Sequence, residues 1–128
     1  MHEKEIEIRW RDLDPYGHVN NAVYATYLEE VRDEWLERAL GRDGLLWDYV
    51  VARVAIDYRR ELTLEDDRVL ARCRLDSLGT SSVRTREELV TPDGETAAQA
   101  EAVLVARDRE TGRPRPLTSD ERSALEAA

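Results

Sequence analysis

Cysteine occurs once in the 128 residues, at Cys73, which excludes an intramolecular disulfide and a cysteine-cluster metal site. Histidine is nearly as scarce. His2 sits at an N-terminal tip expected to be disordered, so a Ser-His-Asp triad would rest on His18 alone, and the sequence has no G-x-S-x-G elbow to supply its serine. The six glycines are too scattered to form a phosphate-cradling loop. Positive charge is also short: 19 Lys and Arg face 28 Asp and Glu, a net charge of −9 that argues against a nucleic-acid partner without excluding an anionic small molecule. No apolar run approaches the length of a membrane span, and no basic, apolar leader opens the sequence. A cytoplasmic protein with no membrane partner is expected.

What is present is a balance of 41% hydrophobic and 37% charged residues, and the length predicts one folded domain over residues 1–128. Lys4 to Trp10 alternates, with Ile6, Ile8 and Trp10 on one face of a strand. Asp12 to Gly17 is loop. From Asn21 to about Leu40 the spacing becomes three and four, through Tyr24, Tyr27, Leu28, Val31, Trp35 and Ala39, and Gly41 is a plausible stop. Thr26, Glu29, Glu30, Asp33 and Glu37 form the opposite, polar face. At ~1.5 Å per residue such a helix is roughly 30 Å long.

Asp43 to Asp48 reads as a connector with a turn of helix. Four strands are then predicted: Val50–Tyr58, Val69–Leu75, Val83–Val90 and Thr96–Arg107, with a turn at Thr91-Pro-Asp-Gly94 and a short charged helix from Ser119. In the first of them Val50, Ala52, Val54, Ile56 and Tyr58 share a face. The alanine stripe Ala98, Ala100, Ala102 and Ala106 on the last strand predicts close approach of the long helix. The order of elements gives an α+β domain, an antiparallel sheet of about five strands wrapped round one long central helix.

The chemistry concentrates in Arg11–Arg32, RDLDPYGHVNNAVYATYLEEVR. With Asp12 as position one of an EF-hand loop, Gly17 falls correctly at position six. Tyr16 and Val23 then occupy positions that need oxygen ligands, so calcium binding fails. Cys73 reads as a core residue on an apolar strand face. Asp14 has two readings, a turn or capping aspartate and a catalytic carboxylate. Two features favour chemistry: Asn20 and Asn21 are available to cap the helix, and Pro15 and Gly17 fix a turn that could aim the carboxylate back at the helix start. His18 is read with equal weight as a surface residue or as a member of the site. Arg53, Arg59, Arg60, Arg84 and Arg86 read as solvated strand residues unless an anion binds there.

The run D-x-D-P-x-G-H-V-N-N-A-x-Y from Asp12, followed by E-x-x-R ending at Arg32, closely resembles the signature of hotdog-fold thioesterases of the 4-hydroxybenzoyl-CoA thioesterase and acyl-CoA thioesterase group. Weaker agreement continues through Ile56-Asp57-Tyr58, the Asp67-x-Val69 turn, Leu78-Gly79-x-x-Ser82 and Thr111-Gly112-Arg113-Pro114. The resemblance implies a homodimer, often assembled into tetramers, with active sites at the subunit interface and no cofactor or metal. It implies Asp14 as the catalytic carboxylate, the Asn21 backbone N–H as oxyanion donor, and His18 as a helper. Asn20, Tyr24 and Ser82 fall near the substrate, with Arg59, Arg60 and Arg84 as candidates for the CoA phosphates. Glu61 departs from the pattern, since many relatives carry proline there.

The implied reaction is hydrolysis of an acyl-CoA thioester, with Asp14 either attacking the carbonyl or activating water. Each preorganised oxyanion donor is typically worth ~3 kcal/mol. The alternatives are a thioesterase acting on acyl carrier protein, disfavoured by the acidic charge, and a non-catalytic acyl-thioester binder, which has no need of a carboxylate at the helix start.

Overall fold

The computed structural model describes residues 1–41 and 48–128; the connector expected at Asp43–Asp48 lies outside them except for Asp48. Five strands form one antiparallel sheet: β1 (His2–Glu7), β2 (Tyr49–Tyr58), β3 (Arg68–Leu78), β4 (Ser82–Val90) and β5 (Thr96–Ala106). Their spatial order is β1-β3-β4-β5-β2, which leaves β1 and β2 as edges. Helix α1 (Asn21–Leu40) lies across one face, and the short α2 (Ser119–Ala127) packs beside it. Among the described residues no helix is long and apolar enough to cross a membrane.

Helix α1 forms where the three-four spacing predicts it. Asn20 caps its start by accepting from the Ala22 N–H at 2.8 Å, and Gly41, at φ 85°, ends it. Its inward stripe of Tyr24, Tyr27, Leu28, Val31, Trp35 and Leu36 is buried against Val69, Ala71, Cys73, Val83 and Leu89 of β3 and β4. Each such apolar side chain contributes ~1.5–3 kcal/mol through burial. Cys73 is wholly enclosed, and that burial pushes its thiol pKa up, as expected of a core residue.

Three expectations are corrected. Trp10 does not join Ile6 and Ile8 on the inner face: the strand ends at Glu7, and a single 3-10 turn at Trp10–Asp12 turns the indole outward, 79% exposed. His2 is not disordered; it opens β1 opposite Cys73, and its ring meets Glu34 of α1 at 3.0 Å. The alanine stripe of β5 does not seat the helix, because α1 lies chiefly over β3, with lesser contact to β1 and β4. These alanines join the core from its flank, next to β2.

Strand β2 also departs from simple alternation. A bulge between Val51 and Arg53 moves Val51 onto the helix-side face with Val54, Ile56 and Tyr58, and puts Val50 on the outer face. Val51, Val54 and Tyr58 remain exposed on that face.

The C-terminal helix is held by one buried carboxylate. Glu121 accepts from Arg115 at 2.8 and 3.0 Å, from the Thr118 N–H at 2.8 Å, and from the Tyr49 hydroxyl at the start of β2. The Arg115 hydrogen bonds, outweighing burial, hold its pKa down to about 2. A carboxylate depressed in the folded state stabilises fully above the ordinary glutamate range and loses that contribution as pH falls toward 2. Denaturant unfolding should therefore show about 2–3 kcal/mol lost between pH 5 and pH 2 from this group, and Glu121→Gln should flatten that limb of the profile.

Candidate active site at the start of the long helix

The segment before α1 is a closed turn. The Asp14 N–H donates to the His18 carbonyl at 2.8 Å, the Gly17 N–H donates back to the Asp14 carbonyl at 3.1 Å, and Leu13 bridges Val19. Gly17 supplies the left-handed backbone (φ 83°) that this turn requires. Inside it, Asp14 Oδ1 accepts from the N–H groups of Tyr16 at 2.9 Å and His18 at 3.2 Å. Its Oδ2 has no hydrogen-bond partner among the described residues. The carboxylate is thus fixed through one oxygen and available through the other.

Asp12 does different work. It is buried, accepting from the Tyr27 hydroxyl at 2.6 Å and from the Arg9 N–H at 3.0 Å. Burial opposes its ionisation, but these bonds outweigh that cost and hold its pKa below the usual carboxylate range. Its carbonyl takes the Asn20 N–H at 3.0 Å, so Asp12 ties the turn to both the first residues and the second turn of α1. The sequence motif contains Asp12, but only the structure shows Tyr27 reaching back to it.

At the helix start the Ala22 N–H is capped by Asn20 and the Val23 N–H goes to the Asn20 carbonyl at 2.8 Å. The Asn21 N–H has no acceptor among the described residues and Asn21 is exposed, so a donor at the positive end of a helix dipole faces outward. The Asn21 carbonyl receives the Tyr58 hydroxyl at 3.0 Å, and the Tyr58 ring meets Tyr24 edge-on at 5.1 Å. Tyr24 is locked in turn: its hydroxyl donates to the Arg60 carbonyl and accepts from the Leu62 N–H, each at 2.8 Å. His18 Nε2 lies 3.1 Å from Glu61 Oε2.

Asp14, His18, Asn20, Asn21, Tyr24 and Arg60 thus fall in one neighbourhood. Arg60 is itself engaged by Asp66 at 3.1 Å and Glu95 at 2.8 Å. Arg59 and Arg84 are placed elsewhere, on the outer face of the sheet, where Arg59 meets Gln99 at 3.3 Å and Arg84 meets Glu101. A depression of about 700 Å³ on that face, flanked by Arg53, Arg74 and Arg86, contains neither Asp14 nor Asn21. Ser82 lies at the start of β4 opposite Val105, at the sheet end remote from Tyr58 and the helix start. Tyr58 and Glu61 belong to the neighbourhood and were not singled out from sequence; the Tyr in Ile56-Asp57-Tyr58 and the unexpected Glu61 were their only signals.

The thioesterase-like superfamily profile matches residues 8–125. The chain belongs to that superfamily. Its five-stranded sheet and long helix are the hotdog fold of these thioesterases, and the family sets the class of chemistry as thioester hydrolysis. This thioesterase is 31% identical to the long-chain acyl-CoA thioesterase FadM of Escherichia coli over 97% of its own length and 96% of the relative's. A Thermus thermophilus thioesterase crystallised with coenzyme A and zinc superposes with a TM-score of 0.90 at 37% identity, over 98% of this chain and 92% of that one. An acyl-acyl carrier protein thioesterase of Arabidopsis thaliana, ATL3, is 51% identical over 37 residues, which are 29% of this chain and 20% of that protein.

Proposed function

We propose that this thioesterase hydrolyses acyl-CoA thioesters, with Asp14 as nucleophile or general base and the Asn21 N–H as oxyanion donor. One observation carries the proposal: a carboxylate oxygen and a backbone N–H, both unengaged among the described residues, stand at the start of the same helix. A thioester carbonyl directed at Asn21 would gain charge stabilisation as its oxygen becomes anionic, without reorganisation of the donor. In the nucleophilic route Asp14 Oδ2 adds to the carbonyl carbon, the C–S bond breaks and CoA leaves as the thiolate. Water then cleaves the acyl-aspartyl anhydride, regenerating the Asp14 carboxylate and releasing the acid, whose proton balances the thiolate. In the general-base route Asp14 takes a proton from water as the water oxygen adds, and the same C–S bond breaks. Both begin from the free Oδ2. His18 assists either route from beside the turn.

The active unit in this reading is a homodimer, with tetramers built from such pairs, residues 1–128 forming one domain and a cytoplasmic setting. Strand β2 offers an unpaired edge with exposed Val51, Val54 and Tyr58. Antiparallel pairing of β2 with its copy about a two-fold axis would bring Tyr58 of one subunit toward Tyr49 of the other. That end of the sheet carries Ser82, so the Ser82 segment of the partner subunit would border the site that one chain leaves open. Arg59 and Arg84 would then remain on the outer surface, and of the three candidate arginines Arg60 is the one tied to α1, through its carbonyl and Tyr24.

The local likeness to the carrier-protein thioesterase supports a second reading, in which the acyl group arrives on acyl carrier protein. The net charge of −9 disfavours docking of an acidic carrier. Thiol release measured on matched long-chain acyl-CoA and acyl-carrier-protein thioesters separates the two. The expected result is a higher kcat/KM on the CoA ester; preference for the carrier protein would reverse the assignment, and release from neither would remove it.

A further inference from the structure

Glu61 is set beside His18 by backbone that has little freedom to move. The Val19 N–H donates to the Leu62 carbonyl at 2.7 Å, and His18 bridges Thr63 in antiparallel fashion. On the Glu61 side, the Tyr24 hydroxyl holds the Arg60 carbonyl and the Leu62 N–H, and Arg60 Nη1 donates to the Glu61 carbonyl at 3.2 Å. The Thr63 N–H is held by Asp66 at 2.9 Å. Residues 60, 62 and 63 are therefore pinned to the turn before α1, to α1 itself or to the 3-10 turn at Leu64–Asp66, and the Arg60 guanidinium holds the Glu61 carbonyl between them. Leu62 is fully buried as an anchor, while the Glu61 side chain is 71% exposed, so its direction toward His18 reflects the contact rather than crowding.

We propose that Glu61 is a positioning residue for the hydrolysis, holding the His18 imidazole in one orientation and one tautomer beside Asp14. Nε2 faces the Glu61 carboxylate at 3.1 Å, and an anion there favours the Nε2–H tautomer over the Nδ1–H one. The ring then presents a fixed proton acceptor in the same turn whose N–H groups bind Asp14 Oδ1. This inference rests on the functional reading above, and it adds a residue to the machinery that no motif assigned.

The experiment compares wild type, Glu61→Ala, Glu61→Gln, His18→Ala and the His18→Ala/Glu61→Ala double variant in full-length protein. Glu61 is exposed, so its replacement does not threaten the fold. An exposed pair of this kind is worth a modest factor: Glu61→Ala should lower kcat about two- to fivefold with KM little changed. Glu61→Gln, which keeps an acceptor, should recover most of the loss. In the His18→Ala background the Glu61→Ala change should have no further effect, whereas a residue that merely supports the loop would cost the same in both backgrounds.

Ring ¹⁵N shifts give a readout independent of turnover. The chain has two histidines, so His18→Ala assigns both, and His2, paired with Glu34, serves as internal control. Wild type should show His18 protonated at Nε2, with that signature altered by Glu61→Ala and the His2 signals unmoved. Unchanged His18 shifts together with wild-type kcat in Glu61→Ala would overturn the proposal, as would an equal loss in the His18→Ala background. Absence of thiol release from the unaltered protein would instead overturn the functional reading, and the ring shifts alone would then decide whether Glu61 orients His18.

Discussion

Asp14→Asn is expected to lower kcat for thiol release by at least ~10²-fold, the usual scale for loss of a positioned acid or base. The substitution is chosen because the amide oxygen still accepts the Tyr16 and His18 N–H groups that hold Oδ1. The turn should therefore survive, and with it the unengaged Asn21 N–H. What is removed is the charge and nucleophilicity of Oδ2, which has no partner among the described residues. Circular dichroism and melting temperature should match wild type, and KM should change little. Wild-type-like turnover by this variant would end the assignment of Asp14.

The second large effect is on stability. Arg32, on the inward side of α1, places its guanidinium on Glu87 of β4 through two hydrogen bonds of 2.8 and 3.0 Å, and the Thr85 hydroxyl donates to the same carboxylate at 2.6 Å. All three residues are at least 96% buried. Burial works against the charge on Arg32, but Glu87 outweighs it and raises its pKa. Such a pair adds little against an apolar alternative, yet removing one member strands a charge in the core. Arg32→Ala should cost about 3–5 kcal/mol in denaturant unfolding. The double replacement Arg32→Met/Glu87→Leu should recover much of that loss. A loss below ~1 kcal/mol for Arg32→Ala would show that the pair is solvated in the working protein.

Helix α1 was legible to the residue because its spacing and both caps agree. The strands were legible to within a few residues for the same reason. Arg32 was visible only as part of a motif, since a charged residue on an amphipathic helix is ordinarily solvated. Its burial depends on Glu87, 55 positions away, and no local pattern links the two. The face of Val51 was misread because a bulge changes the phase of alternation without changing residue type. Trp10 was placed inside on alternation alone, which cannot see that β1 ends at Glu7.

At the site, Asp14, His18, Asn20, Asn21 and Tyr24 stood out because they are contiguous and their turn chemistry is local. Asp12 was weighed only as a metal ligand, and its tie to Tyr27 needs the helix to be folded back over the turn. Glu61 and Tyr58 lie some forty residues further on and reach the helix start through long-range pairing. Ser82 is suggested by a motif and Arg59 and Arg84 only as basic strand residues, and a single chain does not bring them to Asp14.

The bulge in β2 bears on aggregation as well as on which side chains face the helix. An open, apolar edge strand is a template for endless strand addition. Here the bulge at Val51–Arg53 gives the edge a local kink, and Arg53, Asp57 and Arg59 alternate in sign along its outer face. An incoming strand must match both the kink and the charge order, which narrows the strands that can add there. The other edge, β1, is guarded by Glu3, Glu5 and Glu7, whose first two members already bind Arg72 and Arg68. A sheet built this way meets strand addition with a kink at one edge and a row of carboxylates at the other.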